Sequence, residues 1–386
     1  MRMKITNIQT YHIRPRWMFL KIETDEGICG WGESVLEGRA KTVEMAVNEF
    51  KPVLIGADPE KIEHLWQTMY RGVFYRGGPI LMSAVSGIEM ALWDIKGKIH
   101  NLPVYQMLGG ACRDRVRMYG HLKPVGHMAE FSVEDMLVIT RQRLDDGFTI
   151  MKYSIIPPIR AIDTLDMVHK VVDRFAAVRE TVGDKVDVAI DFHGRVSPAM
   201  SIRLLKVLEP YYPVFVEEPV LPENVDAMVS VARSTTIPIA AGERLFGKWG
   251  YRDLIEKQAV AVVQPDLCHC GGIFEARKIA AMAEVYYMQV APHNPLGPIS
   301  LAACLQLDAC IPNLLAQEHP GMPDGTDLGV GILKTPFEIG KDGCIRVPEG
   351  SGLGIEVNED ALKALAFEGN WDTPRLYWED GSLADW

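Results

Sequence analysis

Apolar and polar positions alternate along two runs near the amino terminus, KITNIQTYHI and MFLKIETDEGICGWGES, which predicts a β-meander over residues 5–35 with a turn at Asp25, Glu26 and Gly27. The spacing then becomes helical over 40–54, 59–71 and 80–100, the last carrying Ile88, Met90, Ala91, Trp93, Ile95 and Ile99. LPVYQMLGG, with its Pro and Gly pair, closes this region and sets a boundary near 112–116.

Beyond that boundary the pattern changes again. RVRMYGH, FTIMKYS, AIDFHGR, VFVEEP, IAAGER, AVVQPD, YMQVAPHN and LLAQEHP are short strand-like runs, most of them apolar. Between them lie helical patterns such as 160–180, 197–208, 222–233, 249–257, 272–285 and 298–307. Apolar runs of this length read as strands buried on both faces, their alternation with helices as βα units, and eight strands suffice for a closed α/β barrel. The expected division is an amino-terminal α+β unit over 1–115, a barrel over 116–325, and a segment over 326–386. The last segment contains strand-like CIRVP, is too short to fold alone, and is expected to pack back on the amino-terminal unit.

With 386 residues, 48% hydrophobic and 24% charged, the chain can build a barrel and a further domain. A formal charge of −11 argues against nucleic acid or an anionic membrane as the main partner. MRMKITNIQTYHIR lacks the apolar core of a secretory leader, and no uncharged apolar run approaches 18 residues, so a cytoplasmic location is expected. Seven scattered cysteines fit reduced thiols better than a disulfide framework.

Asp191, Glu217 and Glu243 close three successive strands at equal spacing, where barrel active sites are built. Three unpaired acids converging there repel unless a cation intervenes, and an oxygen-only set favours Mg²⁺ over Zn²⁺ while leaving positions open for substrate. The alternative is pairing with arginines such as Arg195 or Arg244 at the rim. By alternation Glu218 faces away from Glu217, so only one of the two can be a ligand. The same alternation places His193 beside Asp191, as a proton donor or as a partner of the carboxylate. His293 and Asp266 end consecutive strands, which suits an acid-oriented general base. Lys152 and Ser154 share one face of the second strand, and Tyr119 and His121 one face of the first. Lys152 can hold a substrate carboxylate or snorkel from the rim. Glu318, if burial keeps it protonated, can donate to developing oxyanion charge, or it can be a salt-bridged acid. Cys268, His269 and Cys270 are consecutive, alternate in face, and do not make a zinc site without another partner.

At these residues the chain resembles the enolase superfamily, specifically its mandelate-racemase-like acid-sugar dehydratases. The resemblance runs nearly end to end, through PRWMFLKIETDEG (15–27), YRGGPILMSAVSGIEMALWDIKGK (75–98), DFHGRVS (191–197), EEPV (217–220), AGER (241–244), QPDLCHCGG (264–272), APHNPLGPISLAACL (291–305) and LAQE (315–318). It implies a (β/α)7β TIM-like barrel under an α+β capping domain made from both termini, and a symmetric homo-oligomer. It also implies Mg²⁺ on Asp191, Glu217 and Glu243, His293 with Asp266 removing the proton α to a carboxylate, and Glu318 and Lys152 assisting there. His193 would protonate the departing 3-hydroxyl, giving a 2-keto-3-deoxy acid. The implied substrate is an aldonate, D-galactonate first, with gluconate, mannonate or arabinonate as alternatives; a non-catalytic ligand binder is the alternative from another class. Trp17, Met18, Phe19 and Tyr75 would line the capping side of the pocket. Ser154 stands where related racemases carry a second Lys and galactonate dehydratases an Asn, which argues against a two-base racemase and leaves the sugar open.

Overall fold

The computed structural model describes residues 3–122, 132–153, 156–369 and 371–385. Strands β1 (Ile5–Ile13), β2 (Trp17–Thr24) and β3 (Cys29–Glu33) form the antiparallel meander that the alternation predicts. Helices α1 (Ala40–Leu54), α2 (Ile62–Arg71) and α3 (Gly78–His100) follow, then the one-turn α4 (Val104–Met107). Nearly every residue of α3 from Met82 to Ile95 is buried, as befits a helix apolar on most sides. It lies against β3 at backbone distance: a Cβ on Gly32 would stand 1.9 Å from the carbonyl oxygen of Gly87. Glycine is what permits that approach.

The next strands alternate with helices: β4 (Arg115–His121), α5 (Val133–Asp145), β5 (Ile150–Tyr153), α6 (Leu165–Val182), β6 (Asp187–Asp191), α7 (Pro198–Leu208), β7 (Val216–Glu217) and α8 (Val225–Ala232). Then come β8 (Ile239–Ala241), α9 (Gly247–Glu256), β9 (Val262–Val263), α10 (Ile273–Glu284), β10 (Gln289–Val290), α11 (Pro298–Cys310) and β11 (Gln317–His319). The strands pair in parallel in the order β10-β9-β8-β7-β6-β5-β4-β11. A parallel bridge from Val290 to Leu314 joins β10 to the chain entering β11. This is the (β/α)7β arrangement.

One interior layer is filled from eight positions around the barrel: Tyr119, Ile150, Ala189, Phe215, Ala240, Val262, Ala291 and Ala316, all buried together. Small residues on one side leave room for Tyr119 and Phe215, whose rings meet edge-on at 6.2 Å. The barrel is thus a packed core up to this level, and a site can open only above it.

The carboxy-terminal residues touch both parts. β12 (Cys344–Arg346), the strand-like CIRVP, pairs antiparallel with β4, while Gly352 exchanges backbone hydrogen bonds with Leu102 and Val104. Helix α12 (Glu359–Ala364) is tied to the meander through Glu359, which accepts from Lys21 and from the Tyr11 hydroxyl. Helix α5 adds to the helical patterns the sequence predicts. Its apolar face is thin, with only Met136 and Thr140 buried. A capping box, Ser132 with Asp135, marks its start, and that was the available signal. Helix α6 begins at Leu165 rather than 160, because Thr164 caps it.

Candidate active site

Two residues beyond each layer position, strand alternation returns a side chain to the barrel axis. The residues so placed are His121, Lys152, Asp191, Glu217, Gln264, His293 and Glu318. At the eighth position stands Gly242, whose φ of +143° turns the chain and presents Glu243 instead. The mouth of the barrel is therefore a second layer of the same packing, polar where the first is apolar.

Lys152 is its centre. Its Nζ lies 2.6 Å from Glu318 Oε1, 2.8 Å from Glu217 Oε2 and 3.6 Å from Asp191 Oδ2, with 1% of the residue exposed. His193 Nε2 lies 2.8 Å from Asp191 Oδ2. Opposite, His293 Nδ1 is 2.8 Å from Asp266 Oδ2, and its Nε2 faces Glu243 Oε2 at 3.2 Å and Glu318 Oε2 at 3.9 Å. Asp266 is held in turn by the Cys268 N–H, 2.7 Å from Oδ1. Glu318 also accepts the Asn294 N–H at 2.7 Å and meets His121 Nε2 at 2.5 Å.

The electrostatics follow from packing acids and cations in a dry layer. Burial disfavours charge on Lys152, but Glu217 and Glu318 outweigh it and hold the ammonium well above its ordinary range. Glu217 and Glu243 are pushed well above the carboxylate range, by burial first and then by neighbouring acids, Asp191 for Glu217 and Glu218 for Glu243. Asp191 is held low despite burial, chiefly by His193 and Lys152. For His293 burial favours the neutral ring, yet Glu318 and Asp266 raise it to about 9.

Among the described residues no three His, Cys, Asp or Glu side chains are gathered tightly enough to hold a metal ion. The three acids are instead drawn to separate nitrogens, Asp191 to His193, Glu217 to Lys152 and Glu243 to His293. Their chemistry nevertheless fits a hard divalent cation. All three stand at the ends of adjacent strands, Glu217 Oε1 is buried without a hydrogen-bond partner, and Glu243 Oε2 meets His293 only at ion-pair distance, without hydrogen-bond geometry. A bound cation would reverse the rise of both carboxyls.

The structure brings most of the sequence-derived candidates together, with corrections. Burial does not keep Glu318 protonated; Lys152, His293 and His121 overcome burial and hold it well below its ordinary range. His193 reaches Asp191 through a turn, not a continued strand: its φ is +50°, and its own N–H donates to Asp191 Oδ1 at 2.8 Å. Glu218 is gripped by Arg244 Nε at 2.8 Å and Nη2 at 2.5 Å, so the rim ion pair forms one residue beyond Glu217. Tyr75 is 84% exposed and packs edge-on against Phe74, while Trp17 is buried beside Phe19. Ser154 lies outside the described residues. His121, which the sequence places on one face of the first strand and for which a substrate contact is expected, stands against Glu318. His269 bonds Ser83 Oγ, and Cys268 and Cys270 are buried core thiols.

Residues 3–109 match the mandelate racemase / muconate lactonizing enzyme N-terminal domain, and residues 135–361 match the enolase C-terminal domain-like family. The chain belongs to the mandelate racemase / muconate lactonizing enzyme family of the enolase superfamily. It is 47% identical over 391 residues to a protein of Variovorax paradoxus named D-galactonate dehydratase, covering 100% of both chains. It is 46% identical over 393 residues to one of the same name from Ralstonia pickettii, again covering 100% of both. Among solved structures it resembles a mandelate racemase/muconate lactonizing enzyme from Sulfitobacter, with TM-score 0.87, 35% identity, and 95% and 96% of the two chains covered. A member of the enolase superfamily from Salmonella Typhimurium gives TM-score 0.88, 32% identity, and 94% and 98% covered. No described helix is long and apolar enough to cross a membrane.

Proposed function

We propose that the chain is a Mg²⁺-dependent hydro-lyase that dehydrates a sugar acid, D-galactonate first, to a 2-keto-3-deoxy acid. The observation that carries this is a pair of histidines, His193 and His293, tied to the Lys152 centre through Asp191 and Glu318, in a chain 47% identical end to end to a protein named D-galactonate dehydratase. Asp191, Glu217 and Glu243 would hold the cation, and Lewis-acid neutralisation of charge developing on the substrate carboxylate is what it supplies when bound.

In this reading His293 works in its neutral form, which a bound cation would favour by offsetting the acids that otherwise raise the ring to about 9; Asp266 then keeps the proton on Nδ1 and Nε2 takes the proton from C2. Lys152 pairs with the substrate carboxylate as a compact charge, and Glu318 fixes Lys152 and His121. His193 gives its Nε2 proton to the 3-hydroxyl as the C3–O bond breaks, so water leaves and the remaining enol ketonises. Separate histidines for proton removal and hydroxyl departure suit a dehydration better than a racemisation. The three-part division of the chain, the homo-oligomer and the cytoplasmic location are carried with the same proposal.

The test is a screen of purified protein with Mg²⁺ against aldonates, detecting 2-keto-3-deoxy acids. Product from galactonate is expected. Product only from gluconate, mannonate or arabinonate would keep the reaction and move the substrate. Epimerised acid without keto product would overturn the dehydration, and ligand binding without turnover would favour a non-catalytic binder.

A further inference from the structure

Four of the barrel helices are capped by their own side chains: Ser132 for α5, Thr164 for α6, Ser197 for α7 and Asn224 for α8. Helices α10 and α11, which follow the loops bearing Asp266 and His293, start at Gly272 and Gly297 and have no such cap. Their first N–H groups are satisfied from elsewhere. Glu33, at the end of β3, accepts from Gly297 and Ser300, each at 2.9 Å. Glu89, within α3, accepts from Ile273 at 2.8 Å and Phe274 at 2.9 Å, and is itself fixed by Trp93 Nε1 at 2.8 Å.

Both glutamates are fully buried, and both approaches are made possible by glycine. A Cβ at Gly297 would stand 2.9 Å from either Glu33 oxygen, and one at Gly272 would overlap the Glu89 carboxylate. Around them α2 and α3 grip the β9–α10 loop again: Ser86 Oγ accepts the Gly271 N–H at 2.9 Å, and Trp66 Nε1 donates to the Gly271 carbonyl at 2.9 Å. The β10–α11 loop and the β9–α10 loop carry the two halves of the His293–Asp266 pair. Each is therefore pinned beyond its reacting residue by the amino-terminal unit, in addition to the barrel contacts that Glu318 makes to the Asn294 N–H and Gly247 makes to the Cys270 carbonyl.

We propose that Glu33 and Glu89 are positioning residues, which transmit the seating of the amino-terminal unit on the barrel to the alignment of His293 and Asp266. The inference rests on His293 being the base. Each side chain accepts from two helix-start donors, bonds that favour the ionised carboxylate against the burial that pushes each group up to about 8, and an amide in its place leaves one donor facing an NH₂ and lets the loop shift. A reacting group displaced by about 1 Å can lose about 100-fold in rate.

The experiment compares wild type, Glu33→Gln and Glu89→Gln, with Mg²⁺ and either C2-protiated or C2-deuterated galactonate. For both variants kcat is expected to fall about 10- to 100-fold with KM within about twofold, the pattern of an interaction felt in the transition state. The C2 deuterium isotope effect on kcat is expected to rise, because proton removal becomes slower relative to the other steps. A smaller kcat with an unchanged isotope effect means a reduced active fraction and overturns the proposal, as does an unchanged kcat. Wild type that releases no keto acid would sink the function reading and this inference together; wild-type turnover with unaffected variants sinks the inference alone.

Discussion

Replacing Asp266 with Asn is the sharpest perturbation of the proposed base. Asp266 is fully buried, with Oδ2 on His293 Nδ1 at 2.8 Å and Oδ1 on the Cys268 N–H at 2.7 Å. Both positions need an acceptor, and an amide offers only one. If the Asn oxygen keeps the Cys268 N–H, its NH₂ faces His293 and forces the ring proton onto Nε2, the atom that must take the substrate proton. If it flips, the Cys268 N–H is orphaned at about 1–3 kcal/mol, and a charge-assisted bond of about 1.5–3 kcal/mol is lost. Together that is about 2.5–6 kcal/mol, or about 10²- to 10⁴-fold in kcat. Initial rates with saturating galactonate and Mg²⁺ should show this loss with KM nearly unchanged. An Asp266→Asn enzyme within about tenfold of wild-type kcat would refute the claim that this acid sets the working state of His293.

Lys152→Met should leave Glu217 and Glu318 buried without their cation, lowering stability by about 3–5 kcal/mol in urea unfolding without metal. The loss should be larger at pH 8 than at pH 5, where the acids can take up protons. Glu217→Gln should weaken Mg²⁺ binding measured by calorimetry by at least the roughly 10- to 100-fold that a supporting residue costs; unchanged affinity would remove Glu217 from the donor set. Glu359, bonded to Lys21, has its carboxyl lowered from 4.5 to about 2. A depressed carboxyl stabilises the fold above pH 4.5, and that contribution is lost as pH falls toward 2. After solvent screening it should amount to about 1 kcal/mol. Acid unfolding of Glu359→Gln should lack this part of the pH dependence, and an identical acid profile would contradict it.

The sequence made the barrel legible because each strand end pairs an apolar run with a polar residue at the βα period. Asp191, Glu217, Lys152, His293 and Glu318 were readable for a further reason: each stands two residues beyond a layer position, so strand alternation alone turns it inward. Glu243 broke that rule, being displaced one place by the φ of Gly242, and was found by spacing. The state of Glu318 was not legible, since it depends on Lys152 and His121 arriving from other strands. Nor were the caps supplied by Glu33 and Glu89, which join residues more than 180 positions apart. A buried glutamate in an apolar helix and a glycine at a helix start were the only traces, and neither names its partner. Tyr75 was assigned by resemblance, and the structure holds it in solvent.

The central claim is that His293 removes the C2 proton and His193 expels the 3-hydroxyl. The direct measurement is nuclear magnetic resonance of galactonate in deuterated water with Mg²⁺ and either His293→Asn or His193→Asn protein. His293→Asn should abolish both C2 exchange and keto-acid formation, and His193→Asn should retain C2 exchange while losing dehydration. Exchange that survives in His293→Asn, or dehydration that survives in His193→Asn, would contradict it.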